Sequence, residues 1–252
     1  MSAPDGWRLF ARYAYAPNAR GYCGPPEAAA LEAVARGGGE EVDVPALARR
    51  FSGAWPYHVL IAELAGIGEP LDPRVGRAYW TGSELTHSVD ARRLGELLIE
   101  RFLASAGHYW QHLGPDLLEE ITPTHAFHVL GVYPWSRLLA GGRPEPLQVL
   151  NSCLIRPAEL LDAAGGRAVV RSRSLRWDGR RLSLSRACVE EATIWQGSAC
   201  GGTEAQAFTA LHWGHACDLL NAAEHRDLEH WIEVQVEATN RRLSLRQIAA
   251  AR

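Results

Sequence analysis

Apolar positions follow a helical period through residue 145 and a strand period after it. Leu9, Phe10, Tyr13 and Ala14 share one helix face, and Leu94, Leu97, Leu98 and Phe102 share another behind a capping Asp90. Pro25-Pro26, Val44-Pro45, Pro56 and Pro73 open further short helices, and Gly37-Gly38-Gly39, Gly66 and Gly68 end them. One more helix is expected from about Gly114 to Ile121, and the apolar, aromatic run from His125 to Leu139 fits either type.

The segment Gly141-Gly142-Arg143-Pro144-Glu145-Pro146 breaks this pattern and marks a boundary. Beyond it, Leu147–Leu154, Arg167–Arg173, Leu175–Trp177, Leu182–Leu184, Val189–Trp195 and Phe208–Trp213 read as strands. Asp178-Gly179 is a hairpin turn signal, Gly197–Thr203 a flexible loop, and Asp227–Leu245 an amphipathic helix with Leu228, Trp231, Ile232 and Val236 inward. The expected fold is α+β: a helical domain over 1–145, then a small OB-like β-barrel with a trailing helix over 146–252. A barrel that opens at Ser152–Pro157 and closes at Leu211–Gly214 brings Cys153 beside His212 at its mouth.

Composition narrows the function classes. The chain is 47% hydrophobic and 22% charged, with net charge -3, as in a globular protein with its own core and no basic field for nucleic acid or an anionic membrane. Lysine is absent, so all 26 basic residues are arginine. No signal peptide or membrane-length apolar run is visible, and five cysteines without a Cys-x-x-Cys pair suit a reducing cytoplasm.

Cys153-Leu154-Ile155-Arg156-Pro157, followed by Leu211-His212-Trp213-Gly214 and Ala216-Cys217-Asp218-Leu219-Leu220 before a helix, resembles the HypC/HupF-type chaperones of [NiFe]-hydrogenase assembly over residues 150 to 240. Those are small barrels with a trailing helix, and 216–220 corresponds to a short turn in them. The resemblance implies a non-enzymatic metallocentre assembly factor. Cys153 would carry iron bearing cyanide and carbonyl ligands, His212 would assist, and Pro157 and Gly214 belong to the same two motifs. The implied partners are the hydrogenase large-subunit precursor and other maturation proteins. Here the cysteine is internal rather than next to the initiator methionine, and the first 145 residues have no counterpart. The whole chain, with Gly21-Tyr22-Cys23-Gly24-Pro25 and Val132-Tyr133-Pro134-Trp135, is similar to a family of uncharacterised bacterial proteins.

Residue chemistry agrees with this picture and leaves rivals. A soft thiolate suits low-spin iron, a neighbouring imidazolium would lower its pKa, and few protein ligands allow release. The plain alternative makes Cys153 a buried small hydrophobe and His212 a satisfied strand histidine. Cys23, in a Gly- and Pro-flanked loop, could be the nucleophile of a cysteine-dependent enzyme. His212, His215 and Cys217 with Cys200 could make the zinc site of an interaction protein. His108 and His112 read as surface residues, and His125 and His128 as core-edge packing.

Overall fold

The computed structural model describes residues 5–104, 110, 112–195 and 207–250, with side chains as far as 245. The expected loop at Gly197–Thr203, Cys200 and His108 lie outside the described residues.

The first part is a set of short helices: α1 (Asp5–Ala19), α2 (Ala28–Ala35), α3 (Val44–Ala48), α4 (Trp55–Leu64), α5 (Pro73–Trp80), α6 (Glu84–Ser88) and α7 (Ala91–Phe102). Local chemistry sets their starts. The carboxylates of Asp43, Asp72 and Asp90 accept from backbone N–H groups of α3, α5 and α7, and prolines occupy the first turns of α3, α4 and α5. Leu9, Phe10, Tyr13 and Ala14 are all buried, as their spacing predicts. The ambiguous apolar run resolves into a single helical turn, α8 (His125–Phe127), continued by a π-helical turn over His128–Val132 and then α9 (Trp135–Leu138).

Leu147–Leu154 is not a strand. It belongs to α10 (Glu145–Cys153), which starts at Pro144-Glu145-Pro146. The buried positions, Pro146, Val149, Leu150 and Cys153, repeat at helical spacing, so a helix buries all four on one side where a strand could not. Cys153 therefore ends a helix instead of opening the barrel.

The barrel is built from β1 (Arg156–Ala164), β2 (Arg167–Ser172), β5 (Cys188–Ile194), β6 (Phe208–His212) and β7 (His215–Leu220). Its closed order is β1-β2-β5-β7-β6, with β5 and β7 parallel and the other pairs antiparallel. Counted within the barrel this is 1-2-3-5-4, the OB-type arrangement. β3 (Leu175–Trp177) and β4 (Leu182–Leu184) form a separate hairpin around Asp178-Gly179, with Leu175 opposite Leu184. Its edges are tied down by Asn151 of α10, which bonds both Leu175 backbone groups, and by Asn240 of α11 (Ala222–Ala250), which bonds both of Leu182.

The first and last motif segments do meet. Arg156 on β1 pairs with Leu211 on β6, and the Trp213 N–H donates to the Ser152 carbonyl at 2.8 Å. Residues 216–220 are a strand, not a turn. The turn is the two-residue hairpin Trp213-Gly214, with φ of 51° and 75°, which joins the paired His212 and His215. Trp213 is the one non-glycine residue with positive φ among those described, a conformation that costs energy for a bulky side chain.

Among the described residues two apolar clusters are buried. The smaller occupies the barrel interior, around Ala158, Val170, Ile194 and Leu211. The larger runs from Leu9 to Leu243, crosses position 145, and joins the helices to Cys153, Trp213 and the inward face of α11. The helical part thus packs over one end of the barrel. No described helix is long and apolar enough to cross a membrane.

Candidate metal centre

Three side chains converge where the helices meet the barrel: His125 from α8, Cys153 from the end of α10 and His212 from the end of β6. One ligand atom from each lies within 4.8 Å of the other two. Among the described residues this is the one group of three or more His, Cys, Asp or Glu side chains with metal-holding geometry. The cluster lines a cavity of about 270 Å³ walled mostly by aromatic and apolar groups, among them Tyr79, Trp80, Tyr133, Trp135 and Trp213.

Hydrogen bonds fix the two imidazoles differently. His212 Nδ1–H donates to the Tyr13 carbonyl at 2.8 Å, so its Nε2 carries the lone pair, and that buried Nε2 has no hydrogen-bond partner. An imidazole held by a backbone carbonyl on one nitrogen and free on the other is arranged as metal-ligating histidines are. His125 lies 3.1 Å from the Tyr79 hydroxyl through Nδ1 and 3.1 Å from the Cys153 carbonyl through Nε2. In this arrangement Nε2–H donates to the carbonyl and Tyr79 donates to Nδ1. With the proton on Nδ1 the Tyr79 oxygen accepts instead, and Nε2 becomes a free ligand. The same Nε2 is 3.9 Å from the Cys153 sulfur.

Burial decides the protonation states. It lowers the pKa of His125 to about 3, with His128 adding to the shift, and that of His212 well below its usual value, with His125 adding to it. Burial pushes the Cys153 thiol up to about 12, against a smaller opposing effect of the Trp213 indole N–H. A thiolate activated by an imidazolium is therefore not what forms: without a metal, Cys153 is a neutral thiol and His125 and His212 are neutral imidazoles. Nor is it an open barrel mouth, because Cys153 is 6% and His212 1% exposed under the helical part. His212 is a ready ligand and His125 becomes one when its proton moves from Nε2 to Nδ1, whereas the thiol must lose its proton to a metal.

The other candidates separate. Cys23 lines the same cavity, in a loop whose Cys23 and Pro25 carbonyls accept from the Asn18 amide at 2.7 and 2.6 Å. Gly24 has φ of 77°, and a Cβ there would press into the Phe51 ring, so only glycine allows this approach. Burial first, and the nearby Cys153 second, raise the Cys23 thiol pKa, which is the reverse of an activated nucleophile. Its place beside the cluster is nonetheless not what its sequence position suggests. His215 packs against Tyr15 and Trp195, and the Cys217 thiol turns to the His215 carbonyl. Neither joins His212, so the zinc set does not assemble among the described residues, and Cys200 lies outside them. Pro157 sits within β1 and Gly214 in the hairpin turn, where they shape the barrel. The His112 carbonyl accepts from Arg137.

His125, the third member of the cluster, has no distinctive motif around it. In sequence it is one of two histidines three apart at the edge of an apolar run, a pattern that fits core-edge packing equally well. No curated protein and no solved structure matches the chain. A family described as a family of unknown function, DUF6390, matches residues 2–246, and the chain belongs to that family.

Proposed function

We propose that this protein is a metallocentre assembly factor that holds one transition-metal ion or fragment through Cys153, His212 and His125. The observation that carries the reading is the convergence of these three ligand atoms at the wall of an aromatic cavity. One sulfur and two nitrogens suit a soft or borderline metal. Three protein ligands leave a coordination position for an exogenous group or for transfer to an acceptor. The apolar walls keep water from competing.

The cargo that best fits is iron carrying cyanide and carbonyl ligands, and the client a [NiFe]-hydrogenase large-subunit precursor together with other maturation proteins. Support comes from the resemblance of residues 150–240 to HypC/HupF-type chaperones and from the OB-type barrel with a trailing helix. The helical part, absent from those chaperones, would contribute the third ligand and the enclosure.

Infrared spectroscopy after anaerobic co-expression with hydrogenase maturation proteins tests this. Cyanide and carbonyl bands on the purified protein, lost in Cys153→Ala, are expected. A protein that carries iron without these bands, or bands unchanged in Cys153→Ala, contradicts the cargo. A single resident zinc ion would favour a structural or catalytic metalloprotein, as an N2S set with an open position is also compatible with zinc.

A further inference from the structure

A third imidazole lines the cavity and is not needed for the metal. His128, at the start of the π-helical turn, is 1% exposed, and neither of its ring nitrogens has a hydrogen-bond partner. Its neighbours are aromatic: the rings of Tyr57, Trp110 and Tyr133 lie at centroid distances of 5.5, 5.5 and 4.4 Å. A neutral imidazole always carries one N–H and one lone pair. Leaving both unmet in a buried place costs free energy, so such a residue calls for an explanation.

The space around it supplies one. Gly53 lines the same cavity, and a Cβ there would stand only 2.8 Å from His128 Nε2. The glycine thus keeps open the volume in front of that nitrogen. On the other side His128 neighbours His125, at 6.4 Å between ring centroids, and His125 in turn is 5.2 Å from His212. A donor without a partner, an open volume before it and a metal-ligating cluster next to it share one apolar cavity. The metal's protein ligands leave a coordination position free, so a group bound there has both room and a donor.

We propose that His128 recognises a small linear anion of the cyanide or azide class bound to the metal, its N–H donating to the outer atom of that ligand in the space left by Gly53. This rests on the metal-holding reading above and adds a specificity element to it. A hydrogen bond to a charged ligand contributes about 1.5–3 kcal/mol, which corresponds to roughly ten- to more than a hundredfold in affinity. π-Helical turns of this kind are frequent at functional sites.

The test loads the full-length protein with cobalt(II) and titrates azide, following the visible absorption of the cobalt. In the wild type azide binds and shifts the spectrum. His128→Phe keeps the ring volume and removes the N–H. It is expected to weaken azide at least tenfold with cobalt affinity within about twofold, and His128→Gln, which restores an N–H donor, should recover part of the loss. Gly53→Ala, which fills the space and leaves the imidazole, is expected to weaken azide likewise, and it carries the test if His128→Phe does not fold. Azide affinity unchanged in His128→Phe or Gly53→Ala overturns the proposal while leaving the metal site standing. Cobalt bound without any azide binding also overturns this proposal alone. Failure of the wild type to bind cobalt overturns both.

Discussion

At the scale of single residues, the Cys153 proton is the most informative one in the site. The thiol pKa is raised to about 12 by burial, whereas His125 stays neutral down to about 3 and His212 is lowered well below its usual value. Metal binding at neutral pH should therefore release one proton, from sulfur alone, and affinity should rise about tenfold per pH unit between pH 6.5 and 8.5. Calorimetry in buffers of differing ionisation enthalpy measures this; pH-independent affinity would mean that Cys153 is not a ligand. Holding His212 in its tautomer is the Tyr13 carbonyl, a contact 199 residues away in sequence. That distance explains what sequence could and could not supply. The nearness of Cys153 and His212 follows from strand closure, which the two motifs mark. His125 is brought in by helix packing, which leaves no local spacing to read, and its neutrality comes from burial that only the folded core creates.

At the scale of elements, helix starts and turns were legible because they depend on neighbours in sequence. Asp90 caps α7, and Asp178-Gly179 turns the β3–β4 hairpin. Short apolar runs were not: Leu147–Leu154 fits a buried strand or two helical turns equally, and tertiary contacts chose the helix. The long helix α11 was legible from its apolar positions, but its buried ion pair was not. Arg242 is 8% exposed and donates to Glu120 at 2.7 Å and to the Leu130 carbonyl, at the π-helical turn, at 2.8 Å. Burial raises the Glu120 pKa, and Arg242 opposes the rise. Arg242→Leu strands the carboxylate and should destabilise the protein by about 3–5 kcal/mol in urea titration. Adding Glu120→Leu should return a good part of that loss. A single variant as stable as the wild type would show that the pair does not hold α11 to the π-helical turn.

At the scale of the whole molecule, the helical part and the barrel share one core, and among the described residues four histidines are buried: His58, His125, His128 and His212, none more than 6% exposed. Burial lowers their pKa, to about 4 for His58, about 3 for His125 and His128, and well below the usual value for His212. Above about pH 6.5 neither folded nor unfolded chain protonates them. Below it the unfolded chain takes up protons that the fold refuses, so stability falls as pH drops, by up to about 1.4 kcal/mol per pH unit for each histidine. Thermal unfolding followed from pH 7 to pH 5 should show a steep loss; a flat profile would mean that these rings are hydrated. Cys153→Ala, by contrast, is expected to cost no more than about 1–2 kcal/mol and to leave the fold intact by circular dichroism, so loss of metal in that variant reports on ligation.

A sulfur and two imidazoles, drawn from a helix end, a helical turn and a strand end, are predicted to bind one metal together. X-ray absorption of the protein loaded with one equivalent of zinc addresses it directly. The predicted shell has one sulfur at about 2.3 Å and two imidazole nitrogens at about 2.0–2.1 Å. A shell of oxygens alone, or a protein that retains no metal, would contradict it.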